Sequence, residues 1–476
     1  MAVMQGLGRK FPLAAIWLVT VGCVWGVGVS HGQIVAEPVA EPVGVLEAAS
    51  KTPIEDNRQP TEWELKSPRP GLAVAGKIGD NAELMLSSAD REGLNGYWQS
   101  IFPVTGGKWV EFSALRKAVG IDIPRRSCVV RIEWEGRDGE EVMSPYSFNP
   151  AYFGRETGKA RPDFPQDGVP GIGGWVNVSG RYLVPDDAVT ATVQLHLRWA
   201  PGGLVEWKDM RLQKSVAPPE RKVTLAAVHT QLGGSGRTVE ENREWFEPLI
   251  ASAAGQGADL IVLPELLTCK GVTHEYSEVA ETIPGPTTDY FGELAKQHDC
   301  YLVVGLLEKE EHLIYNAAVL IGPYGEVAGK YRKVTLPREE IARGIAPGDE
   351  YPVFETRFGR VGLMVCYDVF FPEVARELAM NGAEVIALPI WGGNPRLAAA
   401  RCVENGVYLV SSTYTDHAHD WMKSAVWNRE GDRLVTAEEW DTVVIQEVDL
   451  SRATYWDGLG DFQSRIAREA PVRRAE

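Results

Sequence analysis

The pattern of the chain changes at residues 217–220, which read Ala-Pro-Pro-Glu. Before this point, short segments such as residues 129–134 and 191–199 alternate apolar and polar residues as β-strands do, and glycine, proline and aspartate separate them. After it, apolar strand-like runs alternate with helical periodicity, beginning with a strand at 223–228 and an amphipathic helix at 238–254. The chain is therefore predicted to fold as an all-β region followed by a layered α/β region, with a proline-containing linker between them.

In the α/β region, an apolar run at residues 361–365 leads into Cys366, and a helix-like stretch begins at about residue 371. A cysteine between a strand and a helix lies at a sheet edge, where backbone N–H groups can point at the thiol and lower its pKa. Single cysteines in apolar strands are more often inert core residues. Cys366 is thus a candidate nucleophile whose role depends on what the fold brings to it.

Two further segments supply groups that such a nucleophile needs. Residues 259–265 form a buried-type strand that delivers Glu265 at its C-terminal end, and residues 329–337 place Lys333 after a strand-turn-strand pattern. Each segment alone has a plainer explanation, as a strand terminator or a solvated charged face. Amide cleavage needs a nucleophile, a base that also serves the leaving nitrogen, and donors for the tetrahedral oxyanion. Together with Cys366, these residues predict that chemistry.

Through these three residues, and through segments 375–379 and 404–408, the chain resembles the nitrilase superfamily, the carbon–nitrogen hydrolases, over roughly residues 222–450. The resemblance implies an α-β-β-α sandwich that hydrolyses a non-peptide C–N bond of a small amide or N-carbamoyl compound. It also implies a thioester on the cysteine, a reaction that needs no metal or cofactor, and a homodimer or higher homo-oligomer.

The resemblance assigns a role to each residue. Cys366 would attack the carbonyl carbon, and Glu265 would take the thiol proton and pass it to the leaving amine. Lys333 would stabilise the oxyanion together with the backbone N–H of Tyr367. Trp391 is expected to line the substrate site.

Family members often add a second glutamate after the lysine, where it positions the substrate and the base. This chain offers both Glu339 and Glu340 in that segment. We favour Glu340 because it lies nearer in register to the following Pro347-Gly348, but the spacing leaves Glu339 open.

The residues around the nucleophile bear on the bond that is cleaved. Cys366-Tyr367-Asp368 resembles the amidase and carbamoylase branches, whereas nitrile-cleaving members more often have Cys-Trp-Glu. The alternatives are a nitrile hydrolase, an acyltransferase with the same triad, and a secreted binding protein whose hydrolase fold is a little-used scaffold.

Composition and the N-terminal residues indicate where the protein acts. A net charge of −17 over 476 residues argues against nucleic acid or an anionic membrane surface as a partner. Residues 1–32 are typical of a signal peptide, with cleavage expected near Gly32, so we predict a secreted or periplasmic protein. Residues 33–62 carry a Val-Ala-Glu-Pro repeat and are predicted to form a flexible linker.

Residues 63–215 are predicted to form a β-sandwich of the jelly-roll, galactose-binding-like type. Through residues 203–209 the region weakly resembles carbohydrate-binding-like sandwiches, which makes a glycan a candidate partner. Exposed tryptophans in it can stack on sugar rings, although tryptophan in such folds is more often core. The C-terminal tail, 451–476, shows no core role in the sequence, and pairing of Cys269 with Cys300 stays open.

Overall fold

The computed structural model describes residues 61–149, 154 and 157–471. The predicted signal peptide and residues 33–60 of the predicted linker lie outside the described residues. Within the described part of the chain, no helix combines the length and apolar character needed to cross a membrane. The described residues belong to one compact unit, so the all-β and α/β regions can be described together.

The all-β region contains two antiparallel sheets that share one hydrophobic core. Strand residues alternate between buried and accessible positions, as the period-2 pattern predicts. The strand orders are β1-β4-β9-β6 and β2-β3-β10-β5-β8-β7. The jelly-roll class and the glycan partner stay predictions. The elements are β1 Glu64–Lys66, β2 Ala75–Ile78, β3 Leu84–Ser87, β4 Asn95–Pro103, β5 Trp109–Val119, α1 Pro124–Ser127, β6 Val130–Glu135, β7 Gln166–Pro170, β8 Trp175–Leu183, β9 Thr190–Arg198 and β10 Leu204–Lys214.

Tryptophans of this region serve mainly its core. Trp98, Trp134 and Trp207 are buried between the two sheets. Trp199 is 48% exposed, but the guanidinium groups of Arg198 and Arg126 lie 4.4 and 5.3 Å from its ring centroid. The most exposed indole therefore already has cationic partners on its faces.

The α/β region consists of two six-stranded mixed sheets with helices on their outer faces, which is the α-β-β-α arrangement implied by the resemblance. The sheet orders are β15-β14-β13-β12-β11-β22 and β16-β17-β18-β19-β20-β21. The strands are β11 Lys222–His229, β12 Leu260–Val262, β13 Tyr301–Glu310, β14 Leu313–Ile321, β15 Val327–Arg332, β16 Val353–Glu355, β17 Arg360–Leu363, β18 Val385–Pro389, β19 Tyr408–Ser412, β20 Ala425–Trp427, β21 Arg433–Thr436 and β22 Thr442–Asp449. The helices are α2 Val239–Gly255, α3 Tyr276–Val279, α4 Pro286–His298, α5 Arg338–Ala342, α6 Pro372–Met380 and α7 Pro395–Asn405.

The apolar runs of the central strands are continuous because both faces of each sheet are covered. On β11, Leu225 and Ala227 enter the core between the two sheets, while Ala226 and Val228 enter the core under α2 and α4. The predicted first strand at 223–228 is thus confirmed.

Helix α2 begins where the sequence places its cap. The hydroxyl of Thr238 accepts from the N–H of Glu241, and the Glu241 carboxylate accepts from the N–H of Thr238, which forms a capping box. Phe246, Ile250 and Ala253 face the sheet at helical spacing. The helix predicted at 238–254 is confirmed, with Thr238 as its N-cap.

The C-terminal residues pack on the all-β region, although the sequence shows no core role for them. A hairpin of β23, Tyr455–Trp456, and β24, Gly460–Asp461, is followed by helix α8, Gln463–Glu469. The rings of Tyr146 and Tyr455 stack at 4.2 Å, and the N–H of Asn149 donates to the carbonyl of Tyr455 at 2.7 Å. The guanidinium of Arg468 lies 3.4 Å from the Phe164 ring centroid.

Cys269 and Cys300 are both free thiols, so the pairing left open by the sequence is not formed. Cys300 is buried in the core between α4 and the first sheet of the α/β region. Cys269 lies instead in the turn that follows Glu265. The two thiols therefore serve different parts of the packing.

Stacking of Tyr146 on Tyr455 is expected to couple the stability of the all-β region to that of the C-terminal hairpin. In a double-mutant cycle with Tyr146→Leu and Tyr455→Leu, the free energy of unfolding should show a coupling of about 0.5–1.5 kcal/mol. As a control, Tyr146→Leu combined with Tyr324→Leu should be additive, because Tyr324 is 86% exposed on the α/β region. If the changes in the free energy of unfolding, measured in denaturant melts, were additive for both pairs, this coupling would be contradicted.

Candidate active site

Three strand ends converge between the two sheets of the α/β region. Glu265 follows β12, Lys333 follows β15, and Cys366 follows β17. The Lys333 ammonium lies 3.0 Å from Oε1 of Glu265 and 2.6 Å from Oε1 of Glu340. The Cys366 thiol interacts with the Glu265 carboxylate, and its Sγ lies 3.9 Å from the carbonyl oxygen of Gly392. The three residues selected from the sequence therefore meet at one place.

Of the two candidate accessory glutamates, Glu340 is the one that enters this cluster. It lies on α5 and is buried, while the neighbouring Glu339 is exposed. Asn316, on β14, donates from Nδ2 to Oε1 of Glu265 at 2.8 Å and to Oε1 of Glu340 at 3.2 Å. The side chain of Asn316 thus bridges the two carboxylates.

The cluster contains two carboxylates and a single ammonium, all buried. Burial alone would lower the pKa of Lys333, but Glu265, and then Cys366 and Glu340, hold it well above its usual range. Burial raises the pKa of Glu340; Lys333 opposes this shift, and the Glu265 charge adds to it. Lys333 is therefore a permanent cation, and the proton of Glu340 is held more tightly than that of an ordinary glutamate.

Cys366 begins a 3-10 helix, Cys366–Phe370, with a φ of +43°. A left-handed backbone at a non-glycine residue costs about 1–3 kcal/mol and is concentrated at functional sites. Burial, and next the Glu265 charge, raise the pKa of the thiol well above its usual range, while Lys333 opposes the shift. A backbone hydrogen bond at Trp391 lowers this pKa, as backbone N–H groups were expected to do, but burial beside a carboxylate outweighs it.

Asp368 fixes the turn that carries the nucleophile. Its carboxylate accepts from the N–H of Val365 at 3.0 Å, the hydroxyl of Tyr331 at 2.7 Å, and both the N–H and the hydroxyl of Thr335 at 3.0 and 2.6 Å. These bonds tie the nucleophile's turn to the segment that bears Lys333. The side chain of Tyr367 is half-buried and packs on neighbouring aromatic rings rather than on this carboxylate.

Trp391 touches the cluster through its backbone. Its N–H donates to Oε2 of Glu265 at 2.9 Å, and its carbonyl accepts from the hydroxyl of Thr413 at 2.8 Å. The indole is 44% exposed, and its ring centroid lies 5.3 Å from that of Tyr414. Its role in lining the substrate site stays a prediction.

Two residues that position the site are absent from the sequence-based candidates. Asn316 is the one polar residue in the apolar stretch 315–321, and such a break in an otherwise buried run is the signal that identifies it. At Gly305 on β13, a Cβ atom would lie 2.8 Å from Cα of Glu265 and from the carbonyl oxygen of Pro264. Only glycine allows β13 to pass the end of β12 this closely.

For metals, the described ranges contain no group of three or more histidine, cysteine, aspartate or glutamate side chains arranged to hold an ion. Lys333 occupies the position between the two carboxylates where a cation would otherwise lie.

Gly305→Ala is expected to displace Glu265 and to lower kcat by about 10²-fold, the effect of a misplacement near 1 Å. Overpacking should also lower the free energy of unfolding by about 1–3 kcal/mol. Gly255→Ala is the matched control, because no atom lies within 4 Å of its added Cβ. The test is the turnover per folded molecule, measured well below the melting temperature. A Gly305→Ala enzyme with unchanged kcat would contradict the role of Gly305 in positioning Glu265.

The chain is similar to known carbon–nitrogen hydrolases. Residues 224–457 match the family model described as carbon-nitrogen hydrolase. A nitrilase of Pyrococcus abyssi is 38% identical over 224 residues, which cover 44% of this chain and 84% of that protein. The omega-amidase NIT2 of Homo sapiens is 31% identical over 223 residues, which cover 43% of this chain and 81% of that protein. The structure of Saccharomyces cerevisiae Nit3, described as a member of branch 10 of the nitrilase superfamily, aligns at 25% identity and a TM-score of 0.43 over 48% of this chain and 90% of that one. The chain therefore belongs to the carbon-nitrogen hydrolase family of the nitrilase superfamily and is an enzyme that hydrolyses carbon–nitrogen bonds.

Proposed function

We propose that the enzyme cleaves a non-peptide C–N bond of a small amide or N-carbamoyl compound through a thioester on Cys366. The observation that carries this proposal is the buried Lys333 ammonium, which lies between Glu265 and Glu340 beside the thiol. A fixed positive charge at the point where negative charge develops on a substrate oxygen is the main requirement of acyl transfer.

In the first step, Glu265 removes the proton from the thiol as Sγ attacks the carbonyl carbon. A base is required because burial and Glu265 raise the pKa of Cys366, so the resting nucleophile is a neutral thiol. The carbonyl π electrons move onto the oxygen and form a tetrahedral oxyanion. Glu265 thus holds the transferred proton while the oxyanion forms.

Lys333 stabilises that oxyanion. An ammonium has three N–H donors, and two of them go to Glu265 and Glu340, which leaves the third for the substrate oxygen. The backbone N–H of Tyr367 is a second donor, since it lies in the first turn of the 3-10 helix, where N–H groups have no partner within the helix. Both donors are fixed before substrate binds, so no reorganisation accompanies the reaction.

Collapse of the intermediate breaks the C–N bond and gives the thioester. Glu265 returns its proton to the departing nitrogen, and the amine or ammonia leaves. A water molecule then attacks the thioester with Glu265 again as base, and the thiolate leaving group recovers its proton from Glu265. Glu340 and Asn316 position Glu265 and Lys333 through both half-reactions, because they contact these groups directly.

Variants of the three central residues test this mechanism. Cys366→Ala should abolish amide hydrolysis with little change in melting temperature, while Cys300→Ala, which removes a buried thiol away from the site, should retain it. Glu265→Gln should lower kcat by about 10²–10⁴-fold, and Lys333→Met should cost about 10²–10³-fold, with smaller changes in KM. Ammonia release and an acyl adduct on Cys366 in intact-mass spectra are the readouts; substantial turnover by Cys366→Ala would exclude the thioester.

Nitrile hydrolysis is the second candidate, because the related protein of Pyrococcus abyssi is named a nitrilase. An amide is supported by Cys366-Tyr367-Asp368 and by the name omega-amidase of the human relative. A nitrile gives a thioimidate, whose nitrogen needs additional protons before it can leave. One proton-carrying carboxylate beside the thiol suits the amide better.

A matched nitrile and primary amide that share one side chain, butyronitrile and butanamide, separate these candidates. We expect hydrolysis of the amide with little or no hydrolysis of the nitrile, compared as kcat/KM. A higher kcat/KM for the nitrile would assign the enzyme to the nitrile-cleaving branch and leave the roles of the three residues unchanged.

A further inference from the structure

Lys270 is a cation beside the site whose neighbours, within the part of the chain that the structure describes, are aromatic rings rather than carboxylates. Its Nζ lies 4.2 Å from the ring centroid of Trp391 and 5.1 Å from that of Tyr414. Among the described residues, no carboxylate forms an ion pair with it. The side chain is half-buried, and this burial lowers its pKa. Ring faces stabilise an ammonium by attraction to their quadrupole, but they do not neutralise its charge.

The backbone of Lys270 is held in place. Asn242, fully buried on α2, donates from Nδ2 to the carbonyl of Lys270 at 2.9 Å and to that of Leu267 at 2.8 Å. The turn Leu267–Cys269 connects Lys270 directly to Glu265. The position of Lys270 is therefore set by the segment that carries the base, not by a loop that moves independently of it.

Trp391 connects Lys270 to the reacting groups. The N–H of Trp391 donates to Glu265, and the carbonyl of the next residue, Gly392, accepts from the Cys366 thiol. The backbone of Trp391 and Gly392 therefore contacts both the base and the nucleophile, while the indole of Trp391 contacts the Lys270 ammonium. The Lys270 ammonium is therefore one side chain removed from backbone groups that contact the base and the nucleophile.

We propose that Lys270 is a specificity-determining residue that binds a carboxylate of the substrate, so that the enzyme prefers small amides bearing a negative charge. This inference rests on the proposed function and names the substrate class of the same site. The rings of Trp391 and Tyr414 hold the ammonium in place and leave its N–H donors to an anion that arrives with the substrate. A charge-assisted bond of this kind is about twice as strong as a neutral one, which gives it the strength to discriminate.

The carboxylate that Lys270 binds can belong to either of two parts of the substrate, and different substrates distinguish them. It belongs either to the acyl portion, as in the monoamide of succinic acid, or to the amine portion, as in N-carbamoyl-β-alanine. Butanamide and N-propylurea are the corresponding neutral compounds of similar length. A preference for the succinic monoamide places the anion on the acyl side, and a preference for N-carbamoyl-β-alanine places it on the amine side.

The test compares wild type with Lys270→Met, which retains length but removes the charge, and with Lys270→Arg, which retains the charge. In Lys270→Met, the ratio of kcat/KM for the anionic substrate to that for its neutral partner should fall by roughly 10–100-fold, mainly through KM. Lys270→Arg should retain most of this ratio. Lys296→Met, which removes an exposed lysine on α4, is the matched control and should leave the ratio at its wild-type value.

A purely structural lysine would give a different result, since its loss would lower both rates equally and leave the ratio unchanged. That outcome overturns the proposal. If wild type hydrolyses none of these four compounds, the proposed function fails. Succinate binding, measured by calorimetry, then tests separately whether Lys270 binds a carboxylate. Weaker succinate binding to Lys270→Met than to wild type supports the anion site, and equal binding rejects it.

Discussion

The buried ammonium of Lys333 is the interaction on which the arrangement of the site depends. It joins the end of β12, the end of β15 and helix α5 through Glu265 and Glu340. Taking charges out of water costs several kcal/mol per ion, and only well-placed partners offset that cost. Asn316 supplies the additional hydrogen bonds that this cluster needs. The same three segments must therefore keep their register for any one of the charges to remain buried.

Backbone strain accompanies this cluster on both sides. Leu266, immediately after the base, has a φ of +49°, and Cys366 has a φ of +43°. Both residues follow strands whose side chains fill the cores of the α/β region, such as Ile261 on β12 and Leu363 on β17. Dense packing of these strands holds the two turns in conformations that an isolated chain would leave.

The sequence predicted the parts of the site that follow from position along a strand. A charged residue or a thiol that follows a strand lies at the edge of the sheet. Glu265, Lys333 and Cys366 could therefore be predicted to form one site. The choice between Glu339 and Glu340 depends on which side of a short helix faces inward, and spacing to a later turn indicates this only indirectly. Adjacent helical residues differ in direction by about 100°, so only one of the two can enter the cluster.

Other features of the site and the fold could not be predicted from local sequence patterns. The raised pKa of Cys366 arises from a carboxylate brought in by another strand, and Lys270 is oriented by rings from two separate segments. The packing of Tyr455 on Tyr146 joins residues more than 300 positions apart in the sequence. Contacts of this kind depend on tertiary structure, which periodicity does not encode.

The pairing of β22 with β11 has a consequence for the order in which the protein can assemble. The first strand of the α/β region, Lys222–His229, is completed on one edge only by residues 442–449. At about 5–20 residues per second, synthesis reaches β22 several seconds after Cys366 has been added. All ten strands of the all-β region, by contrast, have been made by residue 214. During translation the sheet beside the thiol is completed by β21, Arg433–Thr436, whereas the opposite sheet, which carries Glu265, stays unfinished until β22 has been made.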